Sequence, residues 1–239
     1  GSKTAASPLA SSTVKTQFDD MITHVVDNVF PNWENTASSG VAGKVTESGG
    51  DPRYVDGKGL EVHQAFTKGL IGALCLDQIT NNYLSESKLD GASNDATLMG
   101  SGEYTDMEHY WDEGFGYLYG RDDAENPALG VGVLLNKYLK KVTDSHESNM
   151  ATIVYDAFKL GRAAIVAGDY MVRDAQSTII KIELDKIIAY KASDYLRNGA
   201  DIITPEGSAR EDAFHDLSEG YGFVLSLQFT DCFSNDDVN

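Results

Sequence analysis

The chain has 239 residues, 41% of them hydrophobic, enough to bury a substantial core and to exclude wholesale disorder. Its 37 acids against 19 bases give a formal net charge of −18, which disfavours nucleic acid and acidic lipid as partners and leaves cations, basic peptides and neutral ligands open. No run is long and apolar enough to span a bilayer, and no secretory apolar core is visible. Gly1-Ser2 reads as a cloning scar. The Ser/Ala/Thr-rich residues through position 12 read as a flexible tether following a removed signal or an upstream lipid anchor, or as a frayed terminus. Residues 13–239 read as a single all-helical domain, in halves of roughly 13–125 and 126–239.

A first helix is predicted over Thr13 to Phe30, with Phe18, Met21, Ile22, Val25 and Val29 at steps of three and four and Pro31 as its stop. Residues 32–57 form a long polar loop, of the kind that often carries function. A second, central helix runs from about Gly59 to Glu86, apolar on more than one face, and residues 87–103 are again loop. A capping box between Thr105 and Glu108 then opens a helix that ends at Tyr119-Gly120. A short helix near Val131 to Val142 precedes two longer ones, Asn149 to Tyr170 and Gln176 to Arg197, with Gly199 as a left-handed cap. The last helix opens at Thr204-Pro205-Glu206, as N-cap, first helical residue and favourable acid. No period-two strand is evident, so the expected fold is an all-α bundle of about seven helices. Cys75 lies in an apolar helical run suited to a buried thiol; a disulfide with Cys232 stays open for an oxidising compartment.

Two segments carry the same pattern. Asp106, His109, Glu113, Gly114, Phe115, Gly116 and Tyr117 return in register as Asp212, His215, Glu219, Gly220, Tyr221, Gly222 and Phe223. Each copy places an acid, an imidazole and a second acid on one helix face. If the two helices met, His109, Glu113, His215 and Glu219 would offer four metal ligands suited to zinc, iron or manganese, with Asp106 and Asp212 as orienting or further ligand-binding groups. The same residues also suit a hydrogen-bonded brace that holds helix register without a metal. Glycine inside a helix costs on the order of 1 kcal/mol relative to alanine, so the glycines of both copies imply close packing. No His-Glu-x-x-His helix, Gly-x-Ser-x-Gly elbow or phosphate-cradling glycine loop occurs.

The run from Gly59 to Ala73 and the run from Met107 to Gly120 resemble a family of bacterial envelope lipoproteins with a domain of unknown function related to imelysins. The resemblance implies an imelysin-like helical bundle with an internal pseudo-twofold repeat, a periplasmic or surface location, and a link to iron uptake. Imelysins were described as metallopeptidases with a Gly-x-His-x-x-Glu motif. His109 matches its histidine, but Met107 and Asp112 replace the glycine and glutamate, as Ala213 and Ser218 do in the second copy. These departures weigh against peptidase chemistry. The leading expectation is an envelope binding protein for a small ligand, metal ion or envelope partner, with zinc or iron as the candidate metal. A metal-dependent hydrolase and a purely structural or interaction module are the alternatives.

Overall fold

The computed structural model describes residues 13–94, 98–99, 103–121, 123–131, 134–204 and 209–231. They form an all-α bundle: α1 (Thr13–His24), α2 (Val62–Leu70), α3 (Asp106–Tyr119), α4 (Leu134–Ser145), α5 (Met150–Ala167), α6 (Tyr170–Ile203) and α7 (Phe214–Ser226). α1 continues through a π-helical segment, Val25–Val29, into a 3-10 turn, Phe30–Asn32, so Pro31 sits inside the closing turn rather than ahead of it. The predicted helix from Gly59 to Glu86 is α2 extended by two π-helical segments, Ile71–Leu76 and Gln78–Tyr83. Among the described residues no helix is long and apolar enough to cross a membrane.

The predicted loop over 32–57 holds a hairpin. Strand β1 (Gly43–Thr46) pairs antiparallel with β2 (Pro52–Val55), Lys44 opposite Tyr54, and Trp33 stacks on Tyr54 with ring centroids 3.6 Å apart. Four residues per strand are too few to display a period of two. A second short ladder joins β3 (Leu98–Met99) to β4 (Tyr104–Thr105) just before α3. The tether expected over 1–12 and residue Cys232 lie outside the described residues. Cys75 is a free thiol, pushed up to about 11 by burial against a weaker opposing hydrogen bond from the Leu135 backbone.

α5 ends earlier than expected and α6 is longer at both ends. The chain reverses at Gly168, whose φ of 68° is left-handed, and Asp169 caps α6 by accepting from the Val172 N–H at 3.1 Å. Gly199 is therefore no cap. It lies within α6 because α7 crosses there: a Cβ on it would come within 2.5 Å of the Leu217 side chain. Thr204, in turn, ends α6 by donating its N–H to the Ala200 carbonyl at 3.0 Å, so it does not open the last helix. α7 begins at Phe214 after a 3-10 turn, Arg210–Ala213. Pro205 and Glu206 lie outside the described residues.

α3 and α7 carry the two copies of the pattern but pack on different partners. α7 lies against α6 and α2, while α3 lies against the π-helical turn Gln78–Tyr83 and α5. The first half holds the strands and the interrupted helices, the second holds α4–α7, so the duplicated phrase does not extend to a duplicated order of elements. The core runs through Trp111, Phe158, Ile187, Phe223 and Phe229. Trp111 fixes α3 on α5: its indole N–H donates to the Phe158 carbonyl at 2.8 Å, and its ring occupies the space a Cβ on Gly161 would need.

Candidate functional site

The α7 copy sits in a buried polar centre. Glu61, just ahead of α2, is 1% exposed, and its Oε2 lies 2.7 Å from His215 Nδ1. His215 Nε2 faces Glu219 Oε1 at 3.5 Å, and the same Glu219 oxygen takes an ion pair from Lys68 at 2.9 Å. Outward from Glu61 comes Arg53 of β2 at 3.9 Å, which grips Glu47 through two hydrogen bonds of 2.8 and 3.0 Å. The result is a chain of alternating charge from the hairpin to the bundle, in which each buried ion has an opposite neighbour.

The protonation states follow from this order. The hydrogen bond to Glu61 raises His215 above the usual histidine range against the opposing effect of burial. Burial pushes Glu219 up, but hydrogen bonds from Tyr195 and Lys68 outweigh it and hold the carboxyl below its usual range. Burial lowers Lys68, and its contact with Glu219 more than restores it. Tyr195 is raised far, first by burial and then by its bond to Glu219, so it stays a donor. The shifts of His215, Lys68 and Glu219 each favour the charged form beside an opposite neighbour, the signature of a brace.

Two serines of α7 complete the junction with α2. Ser218 Oγ accepts from the Glu61 N–H at 2.9 Å and donates to the Phe214 carbonyl at 2.6 Å. Ser226 Oγ accepts from the Gly72 N–H at 3.1 Å and donates to the Lys68 carbonyl at 2.9 Å, satisfying backbone groups where α2 becomes π-helical. Asp212 works at the same end: its Oδ1 accepts from the Ser48 N–H at 2.6 Å, which ties the hairpin turn to the start of α7 and lowers the Asp212 carboxyl.

The α3 copy is open. Thr105 and Glu108 form the expected capping box, and Asp106 supplies a further acid in the first turn, where the helix dipole favours it. Arg162 of α5 grips Glu108 at 2.6 Å and Asp112 at 2.9 Å. With Trp111 inward and Glu108 and Asp112 turned to Arg162, the remaining face carries His109, Glu113 and Gly116. It lines a groove of ≈ 560 Å³ together with Asp112, Tyr117, Gly120 and Arg121. His109 and Glu113 lie 3.8 Å apart with side chains 35% and 42% exposed, against 25% and 9% for His215 and Glu219. Tyr104 stacks on the His109 ring at 5.7 Å, and Tyr83 faces Glu113, which together with burial raises its hydroxyl.

Both histidine–glutamate pairs therefore exist at the expected spacing, but as two separate pairs. Among the described residues no three His, Cys, Asp or Glu side chains converge as a metal-holding group, so the four-ligand centre is not assembled there. Glu61, Arg53, Lys68, Tyr195 and Arg162 were missed by sequence reasoning because each comes from an element remote in the chain.

A family model described as a domain of unknown function, DUF4856, matches residues 2–238. No curated protein matches the chain, and no solved structure matches it.

Proposed function

This chain belongs to the DUF4856 family, a domain of unknown function, and on that premise we propose that it is a non-catalytic, imelysin-related binding protein of the cell envelope whose small ligand occupies the α3 groove. One observation carries the reading: the glycines of the duplicated pattern have different reasons to exist. A Cβ on Gly222 would come within 2.6 Å of the Ala65 carbonyl oxygen and Lys68 Cβ, and one on Gly220 within 2.9 Å of Leu196. Packing explains both. A Cβ on Gly116 would meet nothing within 4 Å, although glycine costs on the order of 1 kcal/mol in a helix interior. The open space lies beside the exposed His109–Glu113 pair, which is where a ligand would approach.

Two protein donors leave most of a metal's coordination to other groups. A chelated iron or zinc, carrying its own ligands, suits the groove better than a bare ion. That fits the link to metal acquisition and the envelope location implied by the family resemblance. Hydrolysis has less support, since His109 and Glu113 fall short of three zinc ligands. The bracing alternative is favoured for the α7 copy alone, where Glu61 and Glu219 are buried and paired.

Calorimetric titration with zinc and with ferric citrate tests the reading. Binding to the wild-type chain should weaken roughly tenfold or more in His109→Ala and Glu113→Gln, and in Gly116→Leu, which fills the groove without removing a donor. Absence of binding by the wild-type chain, or equal binding by all three variants, would overturn it. Recovery of the protein in the envelope fraction of its source cells checks the location.

A further inference from the structure

Beside the buried centre of α7, α4 and α6 bring together positive charge that the overall composition conceals. Lys137 and Lys141 of α4 and Lys191 of α6 gather over two tyrosines. Lys137 Nζ lies 5.9 Å from the Tyr138 ring centroid, and Lys141 Nζ lies 5.3 Å from it. Lys141 Nζ is also 5.9 Å from the Tyr195 centroid, Lys191 Nζ is 4.9 Å from it, and Lys141 donates to the Tyr195 hydroxyl at 3.3 Å. Both rings pack on Phe223, at 4.8 and 5.7 Å, so they are fixed supports for the lysines.

The cluster is not neutralised. Lys191 pairs with Asp194 at 2.7 Å, but that carboxylate is shared with His146 at 3.0 Å. Lys68, on the inner side, is committed to Glu219. Lys137 and Lys141 have no carboxylate partner among the described residues. Burial and the charges of Lys137 and Lys191 lower Lys141, and the nearby Glu219 only partly offsets them. What sets these lysines apart is that Lys137, Lys141 and Lys191 converge on two adjacent tyrosine rings.

We propose that Lys137, Lys141 and Lys191, above the Tyr138 and Tyr195 rings, bind the phosphate group of a small molecule. Ammoniums are point charges on flexible stems, without the planar fork that favours a carboxylate. Three of them approaching from two helices suit a tetrahedral group with several acceptor oxygens, and two unpaired cations match a charge near −2. The chain's net charge of −18 disfavours an extended polyanion. The site is separate from the α3 groove and stands or fails independently of it.

Titration of the whole chain with inorganic phosphate and with glycerol 3-phosphate, at fixed ionic strength against sodium chloride, tests the assignment. Saturable binding is expected, with a rise in Tm beyond that given by chloride. Tighter binding of the ester identifies a phosphomonoester as the ligand, and equal binding identifies free phosphate; both support the site. Lys137→Gln and Lys141→Gln alter exposed side chains, and each should weaken binding roughly tenfold, while Lys88→Gln leaves it unchanged. Backbone amide shifts in the wild-type chain should move at α4 and α6 on titration. No saturable binding, unchanged affinity in Lys141→Gln, or shifts confined to other helices would overturn the proposal.

Discussion

Gly116 and Gly222 hold equivalent places in the duplicated phrase and answer to opposite physical demands. At Gly222 the backbone of α2 comes so close that no side chain fits. At Gly116 the neighbouring space is open, and only the intrinsic helix penalty acts. The two alanine variants should therefore move stability in opposite directions. Gly116→Ala is expected to gain up to about 1 kcal/mol. Gly222→Ala is expected to lose about 1–3 kcal/mol, since α2 and α7 must separate to admit the methyl group. Urea unfolding midpoints of the two variants measure this directly. A loss at both positions would mean that Gly116 too is set by packing, and the groove would lose its main support.

Among the elements, the junction of α7 with α2 and the hairpin decides how the fold responds to pH. His215 is raised by Glu61. The contribution of such a group is complete below the unfolded histidine value of about 6.5 and is lost as pH rises through the higher folded value. His63, lowered chiefly by burial, acts in the opposite sense: its cost falls on the acid side of the same reference. Stability should therefore peak near pH 6.5 and decline above it. In Glu61→Gln, which keeps the shape and removes the charge, the decline on the alkaline side should flatten and the His215 resonance should titrate lower. Denaturant unfolding between about pH 6 and 8.5, with ring titration by NMR, checks both. An unchanged slope in the variant would show that the Glu61–His215 contact does not couple to folding. This junction also marks the limit of what the sequence discloses. The i, i+4 pairs and the capping box of α3 depend on residues a turn apart and were legible. Glu61 and Lys68 of the α2 segment and Tyr195 of α6 reach His215 or Glu219 from two other parts of the chain, and no local pattern encodes that meeting. The π-helical turns after α2 were hidden for a related reason: Ser226 of α7 satisfies the Gly72 amide and the Lys68 carbonyl, so the cause of the irregularity lies more than a hundred positions away.

Over the whole molecule, 37 acids against 19 bases leave an excess of 18 carboxylates. Their mutual repulsion opposes compaction, and it acts over distances that salt screens, about 8 Å at physiological ionic strength. The attractive pairs respond differently. Those of the α7 centre are buried and weakly screened, while exposed pairs such as Lys140–Asp144 contribute at most about 1 kcal/mol each. Repulsion should therefore govern the response to salt. Tm is expected to rise as sodium chloride goes from about 0.02 M to about 0.5 M, steeply at first and then levelling as the screening length falls below the spacing of surface acids. Lys141→Gln removes a cation that makes no ion pair among the described residues and should leave the slope unchanged or steeper. Differential scanning calorimetry across the series reads this out. A Tm that falls with salt would mean that surface ion pairs outweigh the repulsion, and the acidic excess would then be organised into attractive networks rather than spread as a uniform charge.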